Sequence, residues 1–164
     1  MKFFTKLEFR NISLILVVLL IFYLVNISAS LRKGRDITRK DDISNIQKAL
    51  ASFKDVYKAY PLSNEKGEIL ACFDDHPVLD TITGVPTNAV PCFWGDKGFM
   101  NITVMPRDPD SKNGASYRYV SDGKSYKFYV SLEGKKEPEY SLITEKLNLQ
   151  CGNKICNYSR GDKE

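Results

Sequence analysis

The side chains that could do chemistry in this chain are four cysteines, a single histidine and a few clustered acids. Cys72, Cys92, Cys151 and Cys156 all follow an apolar run near the N-terminus. An even number of cysteines beyond such a run is the pattern of two disulfides formed in an oxidising compartment. Cys151 and Cys156 also stand at a C-x4-C spacing, but a zinc site needs four thiolates converging tetrahedrally. Cys72 and Cys92 supply no matching knuckle, so disulfides are expected over zinc. Of the three possible connectivities the sequence-local one, Cys72 with Cys92 and Cys151 with Cys156, is expected. His76 lies in an Asp-Asp-His-Pro turn with no nucleophile or second ligand beside it and reads as a surface residue. Asp74, Asp75 and Asp80 lack the spacing of a calcium loop. No Ser/His/Asp, Cys/His, paired-carboxylate or phosphate-loop arrangement appears, so no catalytic residue, metal or cofactor is expected and the chain is not expected to be an enzyme.

The charge distribution narrows the partners. Residues 1–35 carry six basic side chains against Glu8 alone, whereas residues 36–164 carry 18 basic and 19 acidic ones. The formal net charge of +4 therefore belongs to the flanks of the apolar run. A nucleic-acid surface needs clustered Lys and Arg to displace counterions, and the nearly neutral remainder offers no dedicated one.

The elements that must position these groups begin with the run Ile12–Ile27, which is apolar on every side as a lipid-facing helix must be. With Ser28-Ala29-Ser30-Leu31 it reaches a plausible membrane span. Beyond it Ile43, Ile46, Leu50, Phe53, Tyr57 and Tyr60 recur at steps of three and four, one face of a helix. Asp36 and Lys40 are spaced to support an exposed helical turn, Gly34 is a weak point, and Pro61 is expected to end the helix. Three stretches follow: a cytoplasmic flank and transmembrane half-helix over 1–31, an exposed amphipathic half over 32–61, and a small disulfide-bonded globular region over 62–164. The N-terminus has three readings, which stay open. It is a retained anchor with its start in the cytoplasm, as Lys2, Lys6 and Arg10 suggest, or a signal cleaved after Ser30, or a short leader removed from a retained helix.

Two stretches resemble type IV pilins and type II secretion pseudopilins. Phe4-Thr5-Lys6-Leu7-Glu8 is similar to the family's mature start, an N-methylated Phe followed by a Glu at the fifth position. The string Arg35-Asp36-Ile37-Thr38-Arg39-Lys40-Asp41-Asp42, running on to Tyr57-Lys58-Ala59-Tyr60-Pro61, resembles the exposed half of the pseudopilin helix. The resemblance implies that Phe4 and Glu8 serve assembly, with the Glu8 carboxylate meeting a neighbouring subunit's terminal amine. A buried carboxylate is costly unless a cation pairs with it. The flank reading of Glu8, between Lys6 and Arg10, needs no such partner. The chain departs from the family at Phe3, where a Gly is usual, and at Lys6, Arg10 and Asn11.

Downstream, Glu68–Phe73 and Val90–Trp94 read as brief strands or extended loop within a stretch punctuated by Gly and Pro. Ser116–Leu132 alternates aromatic and β-branched residues around Asp122-Gly123 and predicts a hairpin. Glu139–Thr144 is expected to add a third antiparallel strand, and the tail from Cys151 to be a disulfide-closed loop with a frayed end. Met105-Pro106-Arg107-Asp108-Pro109 also resembles pseudopilins, with Asp108 capping a turn. Their calcium loop has no aspartate in its counterpart here, Ser131–Pro138, so calcium is not carried over.

The expected fold is α+β: a long N-terminal helix packed on a small antiparallel sheet, pilin-like. The expected role is a structural subunit of an extracytoplasmic filament or pseudopilus, meeting copies of itself or related pilin-like subunits through the N-terminal helix and lipid. The alternative is a non-polymerising binding domain on the same fold, either anchored or secreted.

Overall fold

The computed structural model describes residues 5–162. Its first element, α1, is a helix over Lys6–Tyr57 that is helical through Gly34. The chain divides between Gly34 and Arg35 into two compact units.

The first unit is the early part of α1. Its start is a capping box, in which Thr5 Oγ1 accepts from the Glu8 backbone N–H at 3.3 Å and Glu8 Oε2 accepts from the Thr5 N–H at 2.7 Å. That reciprocal pair satisfies donors that a helix N-terminus otherwise leaves open.

The second unit contains the rest of α1, three small antiparallel sheets and a short second helix. The helix stripe buries as its spacing predicts: Ile43, Ile46, Ala49 and Leu50 are wholly buried and Phe53 nearly so. The helix ends earlier than Pro61 implies. Lys58 adopts a positive φ of 60° and its N–H caps the Lys54 carbonyl at 2.8 Å, so Tyr57 is the last helical residue. Tyr60 is therefore not on the helix. It reaches the same core from the following turn, where its N–H donates to the Gly123 carbonyl at 2.8 Å.

Strands β1 (Leu62–Ser63), β2 (Ile69–Cys72) and β3 (Val90–Cys92) form one sheet in that order. Strands β4 (Arg118–Ser121) and β5 (Tyr126–Val130) form the predicted hairpin, with Arg118 opposite Tyr129 and Ser121 opposite Tyr126. Asp122 Oδ1 closes the turn by accepting from the N–H groups of Lys124 and Ser125. Tyr117, Tyr119, Phe128 and Val130 face the helix stripe, with Ile69 and Met105, in one continuous core. Tyr119 donates its hydroxyl to the Pro61 carbonyl at 2.8 Å, so a buried phenol finds a partner where the chain leaves the helix.

The third strand of the hairpin sheet is not Glu139–Thr144. Ser141 accepts from the Thr144 N–H and caps a short helix, α2 (Leu142–Lys146). β6 (Gln150–Cys151) and β7 (Lys154–Ile155) then make a tight hairpin, and β8 (Tyr158–Gly161) pairs with the free side of β5. The Cys151–Cys156 bridge closes a short loop as expected, but beyond it the chain returns to sheet through Gly161 where a frayed end is expected. Asn157 sets it there: its side chain accepts from the Leu132 N–H at 2.7 Å and donates to the Leu132 carbonyl at 2.9 Å. That amide imitates a strand partner at the end of β5 and leads Tyr158 into register opposite Val130.

Candidate functional site

In the first unit, the apolar stretch of α1 stands uncovered by the chain. Leu14, Leu16, Leu19, Leu20, Phe22 and Tyr23 are all more than half exposed. This part of α1 is long and apolar enough to cross a membrane. Its polar interruptions turn inward on the helix itself: Asn26 Nδ2 donates to the Phe22 carbonyl at 3.0 Å and the Ser28 hydroxyl to the Leu24 carbonyl at 3.2 Å. Such back-bonding removes the cost of a bare polar group in hydrocarbon. Of the two residues expected to serve assembly, Glu8 is engaged in its own helix cap, with Thr5 Oγ1 donating to it as well at 2.9 Å. Phe4 lies outside the described residues.

In the second unit, the Arg35–Asp42 string meets loop 131–139 and Asp108. Arg39 is the centre. Its Nε and Nη2 donate to the two carboxylate oxygens of Asp108, and its Nη1 donates to Asp36 at 2.7 Å and to Glu133 at 2.9 Å. Asp36, Arg39 and Asp108 are each at most 2 % exposed. Asp36 in turn accepts from the N–H groups of Glu133 and Gly134. Arg35 grips Glu133 through Nε at 2.7 Å and Nη2 at 2.5 Å, a two-pronged pairing suited to its planar fork. Lys40 bridges Glu137 and Glu139 at 2.9 and 2.8 Å. The expected exposed Asp36–Lys40 turn is thus overturned. Both side chains point to long-range partners, because a carboxylate receiving two backbone N–H groups and a guanidinium gains more than a solvated pair does.

The electrostatics follow from these contacts. The Arg35 fork, against a partial burial cost, holds the Glu133 carboxyl down to about 2. Burial works against the charge of Arg39, yet Asp108 and its other acids keep its pKa above the ordinary value. Asp42 is the member of the string with a phenol for a partner: the Tyr117 hydroxyl donates to it at 2.5 Å, and burial raises its pKa. Burial, then Asp162, pushes the Tyr60 phenol up to about 12, while Lys54 sits 4.2 Å over its ring.

Comparison of the chain with family models, with curated proteins and with solved structures returned no match.

The remaining candidates resolve into structure. Cys72 is joined to Cys92 and Cys151 to Cys156, across 20 and five residues. His76 is exposed, and its carbonyl accepts from Asn88. Asp80 organises a loop by accepting from the Ile82 and Thr83 N–H groups. Among the described residues no three His, Cys, Asp or Glu side chains gather as metal ligands would. Asp108 does cap a turn, accepting from the Asp110 N–H at 2.7 Å, while also binding Arg39. Sequence reasoning missed the Arg39–Asp108–Glu133 arrangement. The available signal was the density of opposite charges in the Arg35–Asp42 string, which reads equally as a solvated face.

Proposed function

We propose that this chain is a membrane-anchored structural subunit, pilin-like or pseudopilin-like, of an extracytoplasmic filament or secretion pseudopilus. The observation that carries the reading is the apolar part of α1, an 18-residue window of which nothing is buried within the chain. So much uncovered apolar surface must be taken up by lipid, by other helices, or by both in turn. Two disulfides support placing the second unit outside the cytoplasm, and Lys6 and Arg10 support an N-terminus inside it. The Arg39-centred ion pairs support a mechanical role. They tie the helix to two segments distant in sequence, at Asp108 and at Glu133.

A second reading keeps the anchor and drops polymerisation. Its support is the Glu8 carboxylate, which caps its own helix and so needs no neighbouring amine. Sedimentation of gently extracted membranes with intact-mass measurement of the pelleted chain separates the two. A filament subunit pellets as an assembly and has lost Met1–Phe3, leaving a methylated Phe4. An anchored domain stays in the detergent-soluble fraction with its N-terminus intact, and a product starting at Leu31 indicates secretion.

A further inference from the structure

The apolar part of α1 carries a further pattern, which deepens the proposed function and rests on its membrane anchor. Ile12, Leu16, Leu19, Tyr23, Asn26 and Ser30 recur at alternating steps of four and three, one row along the helix. Every helix has such rows; this one is set apart by what it gathers. Of the five side chains with polar atoms between residues 12 and 31, it holds three: Tyr23, Asn26 and Ser30. Ser28, off the row, already donates its hydroxyl to the Leu24 carbonyl. The bond from Asn26 to the Phe22 carbonyl uses only one of two amide N–H groups. Among the described residues the other N–H and Oδ1 have no partner. Tyr23 is 62 % exposed, and its hydroxyl likewise has none among the described residues.

Depth makes these groups costly. Asn26 stands five residues inside Leu31, about 7 Å at the helical rise, and Tyr23 about 12 Å. Helix side chains lean toward the N-terminus, so both lean away from that nearer boundary. Hydrocarbon offers no water to satisfy them. A carboxamide presents a donor and an acceptor side by side, so two of them can close a reciprocal pair of hydrogen bonds. Copies of one single-pass chain enter a membrane the same way round, and a parallel pair brings like residues together at equal depth. A second copy therefore delivers an amide where this amide needs one. We propose that α1 pairs with α1 of a second copy along this row, Asn26 meeting Asn26 and Leu16 and Leu19 packing on their counterparts. The amide then sets the register, as a lone asparagine does in a coiled-coil seam.

The test uses the full chain, bearing a donor or an acceptor fluorophore at its C-terminus, in phosphatidylcholine vesicles. Energy transfer followed over lipid dilution gives the pairing constant. Asn26→Leu keeps the helix apolar and should weaken pairing about three- to thirty-fold, the range for polar contacts between membrane helices. Asn26→Gln retains the amide and should stay within about three-fold of the parent. Ser28→Ala should change nothing. On copper-phenanthroline oxidation Leu19→Cys should link two copies, and Ile21→Cys, on the opposite face, should not. Intact mass showing both native disulfides confirms that each variant has folded. No energy transfer from the parent, undiminished transfer from Asn26→Leu, an Asn26→Gln as weak as the leucine variant, or linkage at 21 in place of 19 would overturn the pairing. Filaments that sediment without these signatures would sink the amide contact and leave the structural-subunit role standing. An amide-dependent dimer from a chain that never sediments as a filament would uphold the pairing and sink polymerisation alone.

Discussion

Arg39 and Asp108, 69 residues apart, meet through two parallel hydrogen bonds of 2.9 Å, and neither side chain is more than 1 % exposed. This pair fixes helix α1 against the segment that leads into the hairpin. Removing two charges from water costs several kcal/mol for each, so the pair stabilises only while every lone pair and proton stays matched.

Breaking it should therefore be severe. Asp108→Asn leaves Arg39 with a neutral partner, and Arg39→Met leaves Asp36 and Asp108 buried without their cation. Arg39→Met is expected to cost about 3–5 kcal/mol, and Asp108→Asn less, since Arg39 keeps Asp36 and Glu133. Arg39→Lys should fall between these and the parent, because one ammonium cannot reproduce the planar fork that serves three carboxylates. Denaturant unfolding of the full chain in micelles, followed by near-ultraviolet dichroism of the core tyrosines, measures this. An unchanged midpoint for Asp108→Asn would show that the pair contributes nothing.

Acid should loosen the same region in a defined window. The Glu133 carboxyl lies at about 2 in the folded chain against an ordinary 4.5. A depressed carboxylate contributes stability that is present above its unfolded pKa and lost as pH falls through its folded one. Unfolding free energy should decline between about pH 4.5 and about pH 2, and Glu133→Gln should flatten that part of the profile. Glu133 is partly open to solvent, so its share is on the order of 1 kcal/mol after screening. A Glu133→Gln profile as steep as the parent's over that range would assign the loss to other carboxylates.

The two disulfides should differ in worth. In the loop-entropy model the Cys72–Cys92 closure contributes about 3 kcal/mol and the shorter Cys151–Cys156 closure about 2 kcal/mol. Paired serine substitutions should rank accordingly in midpoint. Cys151 and Cys156 are fully buried, so a larger loss for the second pair would mean that their packing outweighs chain entropy.

Glu8 offers a discriminating substitution. A glutamine keeps the capping-box geometry with Thr5 and removes the charge, while alanine removes both. If Glu8 acts through its cap, Glu8→Gln should pellet with membrane assemblies as the parent does and Glu8→Ala should not. Loss of assembly in both variants would require a charged carboxylate, as pairing with a neighbouring amine demands.

Much of this architecture was legible in local patterns. Residues lying next to one another on a helix or strand carry their periodicity in the sequence, so Ile43, Ile46, Leu50 and Phe53 announced a buried stripe and Asp122-Gly123 a hairpin turn. The apolar run from Ile12 and the even set of cysteines were equally readable, since hydropathy and count need no partner. Tertiary structure alone decided the rest. A charged string looks the same whether it faces water or a matching loop 97 residues away, so the burial of Asp36 and Arg39 depended on where Glu133 and Asp108 came to lie. Likewise β8 has little β-forming character of its own, and its place beside β5 was set by the Asn157 amide and an open strand edge. Periodicity reports which face of an element is apolar. Which distant group meets a polar one is settled only when the chain has closed around both.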